Sequence, residues 1–218
     1  CFAYGEGVKK DFEEAVKWYT KAALDGNEWA QNKLANCYYY GDGVEQDEAK
    51  AVEYFTKSAE AGNKNSMNRL GDCYNYGRGV EQDYQQAINW YQQAALAGHH
   101  IAKYNLGNCY YNGNGVEQDY QQAINWYQQA AEQNIEGAMN KLGECYQYGY
   151  GVEQDYQQAI NWYQKAAEKG NGWAQDMLGS FYEYGKGVDK DVNLALSWYQ
   201  KAADNGNKHA RTRLSRLA

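Results

Sequence analysis

Apolar and small side chains recur in this sequence at helical spacing, and the helical stretches themselves recur every 36 residues. From Asn27 to Gly41, the residues Ala30, Leu34, Cys37 and Tyr38 stand at i, i+4, i+7 and i+8, a single apolar stripe on a 3.6-residue helix. Ahead of it, Ala15, Val16, Trp18, Tyr19, Ala22 and Ala23 are spaced by threes and fours and predict one apolar face of another helix, with polar residues opposite. Both patterns persist along the chain, whose 218 residues hold six such units and two residues more. Each unit reads as a first helix (helix A), a turn, and a second helix (helix B).

The punctuation is as regular as the stripes. Gly-x-Gly-Val ends helix A at Gly5 to Val8, Gly41 to Val44, Gly77 to Val80, Gly113 to Val116, Gly149 to Val152 and Gly185 to Val188. Three residues after each Val comes an Asp (Asp11, Asp47, Asp83, Asp119, Asp155, Asp191), placed to cap the free amides at the start of helix B. Glu14, Gln86, Gln122 and Gln158, three residues further on, complete a capping-box pattern; Lys50 and Leu194 do not. Helix B stops at Gly26, Gly62, Gly98, Gly170 and Gly206, where a positive φ is needed after the last turn, and Asn134 takes that place once. The sequence contains no Pro, as expected when glycines already supply the stops.

From Ala174 to Gly206 the residues Leu178, Gly179, Tyr182, Gly185, Gly187, Val188, Asp191, Ala195, Trp198, Tyr199, Lys201, Ala202 and Ala203 reproduce a known consensus, and the chain resembles the Sel1-like repeat, a relative of the tetratricopeptide repeat. One copy departs from it, with Ala35 for the helix A Gly, Tyr54 and Phe55 for Trp-Tyr, and Ser58 for Ala. The resemblance implies an all-α fold, a right-handed α-α superhelix (solenoid) of tandem 36-residue helix-turn-helix repeats, with helix A lining a concave surface. Residues 1–218 are expected to form a single solenoid of about six repeats, beginning and ending within a helix A segment. The resemblance also implies a non-catalytic adaptor that assembles protein complexes, as members do in endoplasmic-reticulum quality control, in cell-wall synthase regulation and among bacterial effectors.

Composition adjusts this picture in three places. The five cysteines, Cys1, Cys37, Cys73, Cys109 and Cys145, share one repeat column with Phe181 and Leu217, so they read as buried core thiols rather than disulfide partners. Cys1 alone has a second reading, the acylated start of a bacterial lipoprotein. Free thiols and the lack of an Asn-x-Ser/Thr sequon favour a reducing compartment over secretion. A net charge of −7, from 28 acidic and 21 basic residues, lacks the basic footprint of a nucleic-acid binder. Mean hydropathy is −0.93 and no apolar run is long enough for membrane insertion.

Candidate chemistry is sparse. His99 and His100 are adjacent at a helix start, where they read as solvated side chains, and with His209 they make no metal site. No nucleophile and base are paired, no cofactor motif occurs, and Gly-x-Gly-Val lacks the Lys-Ser/Thr of a phosphate loop and reads as a turn. The chain is therefore expected not to be an enzyme. Binding is better supported. Rotation by 100° per residue leaves columns 29, 32, 36, 39 and 40 of helix A outside the apolar stripe. They hold Trp29, Asn32, Asn36, Tyr39 and Tyr40; Asn68, Asp72 and Tyr76; Tyr104, Asn108 and Tyr111; Asn140, Glu144 and Tyr148; and Trp173, Asp176 and Tyr184. Asn amides pair with a peptide backbone and aromatic rings give stiff contact area, so this face is expected to bind a protein or peptide, preferably neutral or basic given Asp72, Glu144 and Asp176. Two competing readings stay open: the Tyr40 column packs against the neighbouring repeat, or the chain self-associates head to tail as a filament subunit because its two ends share nearly the same repeat phase.

Overall fold

A computed structural model of the chain describes residues 11–217; Cys1, the first Gly-x-Gly-Val at Gly5 to Val8 and the partial helix expected before it lie outside them. The described residues form twelve helices and no strand, and the fold is all-α, a tandem array of helical hairpins. The helices are α1 (Phe12–Leu24), α2 (Glu28–Tyr40), α3 (Glu48–Glu60), α4 (Lys64–Tyr76), α5 (Tyr84–Leu96), α6 (His100–Asn112), α7 (Tyr120–Ala131), α8 (Glu136–Tyr148), α9 (Tyr156–Ala167), α10 (Gly172–Tyr184), α11 (Val192–Asp204) and α12 (Lys208–Leu217). Even numbers are helix A and odd numbers helix B. The chain divides into two compact units. The first runs to Leu106 and includes Asn114–Val116; the second comprises Gly107–Gly113 and Glu117 onwards.

All six Asp caps form as expected, each carboxylate accepting from the amide three residues on at 2.9–3.0 Å. The capping box does not form. Its reciprocal partner, the amide of the Asp, already donates to a helix A tyrosine carbonyl: Asp47 to Tyr38, Asp83 to Tyr74, Asp119 to Tyr110, Asp155 to Tyr146 and Asp191 to Tyr182, each at 2.9 Å. Glu14 instead accepts from Lys17 and from the Trp18 indole. Helix A has a cap of its own that the repeat pattern concealed. Asn27, Asn63, Asn171 and Asn207 accept from amides of its first turn, and Ile135 caps nothing. His99 holds the same column, and its Nδ1 accepts from the Ala102 amide at 3.2 Å. It is half-buried and structural, not a solvated side chain, and burial together with Lys64 and His100 lowers its pKa to about 4.

The core is made of clusters that join each helix B to a neighbouring helix A, and within the first unit α3 is joined to the helix A on either side. Val16, Ala23, Ala30, Leu34 and Cys37 form one; Ala35, Tyr39, Val52, Phe55, Leu70 and Cys73 belong to the next. Cys37, Cys73, Cys109 and Cys145 are free and buried, and burial raises their thiols to about 11 for Cys37 and about 12 for the others. The tryptophan column is the exception to the predicted stripe. Trp18 is 56% exposed and Trp90, Trp126, Trp162 and Trp198 are half-buried, so their rings flank the core instead of filling it. Lysines stand over several of them, Lys165 at 4.1 Å from Trp162 and Lys201 at 4.3 Å from Trp198.

Two glycine columns fix how the helices approach. A Cβ on Gly71, Gly107, Gly143 or Gly179 of helix A would fall 2.4–2.5 Å from the ring of Tyr91, Tyr127, Tyr163 or Tyr199 on helix B. The missing side chain lets the ring cross helix A. Where the sequence departs, it departs as a pair: Ala35 faces Phe55, and both are fully buried in one cluster. The second glycine of each described turn (Gly43, Gly79, Gly115, Gly151, Gly187) has φ near +70° and lies against the helix B of the preceding repeat; a Cβ on Gly79 would sit 2.2 Å from the Glu48 carbonyl oxygen.

Candidate functional site

The buried tyrosines of helix B determine what becomes of the predicted helix A face. Having crossed helix A at the glycine, each hydroxyl emerges among columns 36 and 39 and takes an acceptor there. Tyr91 donates to Asp72 at 2.9 Å, Tyr127 to Asn108 at 2.8 Å, Tyr163 to Gln147 at 2.8 Å and Tyr199 to Glu183 at 2.7 Å. Phe55 has no hydroxyl, and the corresponding Asn36 bonds instead to the Asn32 carbonyl at 2.7 Å. Residues expected to meet a ligand are thus partly the acceptors of core phenols.

A second set of bonds links successive repeats and corrects the expectation of a uniformly open face. Asn32, Tyr39, Asn68 and Asp176 are buried, because the side of helix A that a lone helix would show to water meets the next repeat. In the first unit, Asn32 donates to Ser66, Ser66 to Ser58 and Ser58 to the Glu28 carbonyl, all at 2.7–2.8 Å. Asn105 reaches back to Asn68 and Asp72, whose pKa is raised by burial against the lowering effects of Tyr91, Arg69 and Arg78. In the second unit, Asn140 donates to the side-chain Oδ1 of Asn171 at 3.1 Å while its own Oδ1 stays buried without a partner. Glu144 accepts from Tyr111 at 3.0 Å and from Lys141 at 2.7 Å. Arg213 lies 3.2 Å from Asp176, and Arg216 pairs with Glu183. These arginines of α12 reach back to carboxylates of α10.

What remains open is aromatic. Trp29, Tyr40, Tyr76, Tyr148, Trp173 and Tyr184 are each 40–63% exposed, all at the first or last turn of a helix A. Asn36, Asp72, Tyr104, Asn108, Tyr111, Asn140 and Glu144 are half-buried between the two sets. In the first unit, cations line the open rings: Arg69 stands 5.9 Å from Tyr40, and Arg78 is 5.5 Å from Tyr76 and 5.9 Å from Tyr39 while donating to the Tyr39 hydroxyl. In the second unit the column of Arg78 holds Lys186 and, one repeat earlier, Tyr150. Tyr150 stacks on Tyr120 at 5.1 Å, tilts against Tyr148 at 5.6 Å and meets Tyr111 edge-on at 6.0 Å. Among the described residues, no group of His, Cys, Asp and Glu is placed to hold a metal, and no helix is long and apolar enough to cross a membrane.

The Sel1 repeat pattern matches six times, over residues 1–27, 30–63, 64–99, 100–135, 137–171 and 174–207. The chain belongs to the Sel1 repeat family. As a class, Sel1 repeat proteins are scaffolds for protein–protein interaction and are generally non-catalytic. Among solved structures, c5321, a protective antigen of uropathogenic Escherichia coli strains displaying an SLR fold, is 38% identical with a TM-score of 0.89 over 99% of this chain. The chain spans about 46% of the length of c5321. A Sel1 repeat protein from Oxalobacter formigenes is 35% identical with a TM-score of 0.88, over 94% of this chain and 84% of that one. The immunity protein Pa5087 of Pseudomonas aeruginosa is 26% identical with a TM-score of 0.57, over 84% and 67% of the respective chains. Comparison with curated proteins gives no match.

Sequence reasoning on these Sel1 repeats passed over Arg69, Arg78 and Tyr150. Arg69 lies in column 33, beside the apolar stripe, and reads as an ordinary solvated cation. The signal for Arg78 and Tyr150 was present: the x of Gly-x-Gly-Val is Glu6, Asp42, Arg78, Asn114, Tyr150 and Lys186, different in every copy of a motif otherwise constant.

Proposed function

We propose that this chain is a non-catalytic scaffold that holds a peptide or protein segment along its helix A face, and that the exposed aromatic rows make the contact. The observation that carries the reading is the exposure of Trp29, Tyr40, Tyr76, Tyr148, Trp173 and Tyr184 at repeating positions of helix A, while every other large ring among the described residues except Trp18 is buried or half-buried. The inner polar columns serve mainly to join repeats, so the face offers rings and their hydroxyls more than free amides. A neutral segment fits it. The expected preference for basic ligands loses its support, because Asp72, Glu144, Asp176 and Glu183 are already engaged by Tyr91, Lys141, Arg213 and Arg216.

The test is retention on a peptide array by the wild type, by Tyr40→Ala with Tyr76→Ala, by Tyr148→Ala, and by Asn32→Ala. The aromatic variants lose retention, while Asn32→Ala lowers stability and keeps the pattern of bound peptides. Equal retention by all four rejects the aromatic rows as the contact. The head-to-tail reading has one observation behind it, a cavity of about 770 Å³ between α11 and α12 lined by Leu196, Ala203 and Leu214. Light scattering over a hundredfold range of concentration decides it, and a constant monomer mass removes it.

A further inference from the structure

The turn that ends helix A is held by its backbone and by flanking residues, and its frame makes no use of the side chain between the glycines. Both glycines take positive φ. The turn backbone is anchored from helix A: the amide of Arg78 donates to the Cys73 carbonyl, the amide of Asp83 to the Tyr74 carbonyl, and the Gln82 side chain to the Asn75 carbonyl at 2.7 Å. The turns closed by Gln46, Gln82, Gln118 and Gln154 share this Gln bond, the last described turn has Lys190 in its place, and the side chain between the glycines differs in all of them. A position that the turn frame does not dictate, different in each copy and adjacent to the exposed rings, is suited to set what each repeat recognises.

We infer that the turn residue is the specificity-determining row of this face, and that Arg78 reads a carboxylate side chain, Asp or Glu, on an extended peptide partner. The inference rests on the scaffold reading above. Arg78 is exposed, and the rings of Tyr39 and Tyr76 lie within 6 Å of its guanidinium. One of its five N–H groups donates to the Tyr39 hydroxyl. No carboxylate among the described residues lies within ion-pair distance of it; Glu48 acts on it only through longer-range attraction. Asp72, the carboxylate on the same face, accepts from Tyr91 and Asn105 and lies 3.8 Å from Arg69. A planar donor fork steadied by rings and lacking an internal anion is complementary to a carboxylate supplied from outside. The chain as a whole carries −7, which disfavours acidic partners at long range, so the selectivity has to come from this short-range contact.

The experiment uses an array of decapeptides with Tyr, Leu and Pro flanks that differ only at the central residue: Glu, Asp, Gln or Lys. The full chain is probed as wild type, Arg78→Gln, Arg78→Lys and Arg78→Tyr, each first shown by circular dichroism to melt as the wild type does. The wild type retains Glu and Asp peptides about tenfold better than their Gln counterpart, the usual advantage of a charge-assisted bond. Arg78→Gln removes that ratio, Arg78→Lys keeps part of it, and Arg78→Tyr abolishes it while still retaining neutral peptides. If the wild type retains Glu and Gln peptides equally, or Arg78→Gln preserves the ratio, the inference is overturned and the scaffold reading stands. If no peptide is retained by any form, both fall together.

Discussion

In the first unit Arg69 and Arg78 stand against tyrosine rings; in the second, four tyrosines pack ring on ring, with Lys141 4.4 Å from one of them, Tyr111. The frames beneath are the same: glycine crossed by a helix B ring, Asp-capped helix B, and Gln side chains closing the turn at Gln46, Gln82, Gln118 and Gln154. In the column of Arg78 the second unit has Tyr150 before Lys186, and the exchange to Tyr150 replaces a cation facing Tyr39 and Tyr76 by a four-ring cluster with Tyr111, Tyr120 and Tyr148. Surface chemistry in this array is therefore set by turn residues, and the fold by the columns around them.

The most drastic way to break the comparison is to remove the frame from both units. Gly79→Ala and Gly151→Ala force a side chain into a positive-φ turn, 2.2 Å from the Glu48 carbonyl oxygen and 2.7 Å from the Tyr120 Cβ. Each is expected to destabilise its repeat by roughly 3 kcal/mol or more, read by urea denaturation and by faster amide exchange confined to neighbouring helices. Tyr150→Ala tests the ring cluster and should lower stability by about 2 kcal/mol. Arg78→Ala, by contrast, should leave the denaturation midpoint where it is. Similar losses for these two variants would remove the distinction between a packed row and a reading row.

Acid reaches the first unit through a different residue. Burial, with the charges of Lys64 and His100 beside it, holds the His99 pKa at about 4 in the folded state against 6.5 in the unfolded chain, and the unprotonated Nδ1 caps α6. The unfolded chain thus takes up the proton first, and the stability contributed by this cap, complete above pH 6.5, is lost as pH falls from 6.5 to 4. For a half-exposed ring the loss amounts to about 1 kcal/mol after solvent screening. His99→Asn restores the cap of the sister repeats, and its stability relative to wild type should grow across that window; a constant difference would exclude the cap as the cause. The smallest effect is a null one. Cys73, Cys109 and Cys145, with thiols raised to about 12, should resist iodoacetamide at pH 8 alike in both units until denaturant is added.

Local structure was legible in the sequence because local chemistry dictates it. Asp47 caps a helix and Gly62 ends one whatever lies beyond them, and the 36-residue period placed Cys73 beside Leu70 in the core before any coordinates. The helix A face was only half legible. A rotation of 100° per residue separates the stripe from everything else, but in this array the remainder faces two environments, solvent and the next repeat. Trp29 and Tyr40 fall on the first, while Asn32 and Tyr39 fall on the second. The paired exchange of Ala35 and Phe55 was visible as two departures and not as one, since the ring that fills the space over a missing Cβ is 20 positions away along the chain.

The backbone bonds from Asp47, Asp83, Asp119, Asp155 and Asp191 into helix A have a practical corollary. They tie the two helices of a hairpin together without using any atom of the side chain between the glycines. Asp42, Arg78, Asn114 and Lys186 therefore form a ready-made set of positions for combinatorial diversification, where selection can search for new binders while the backbone frame of the turn is held fixed; Tyr150, packed among rings, is the one to leave in place.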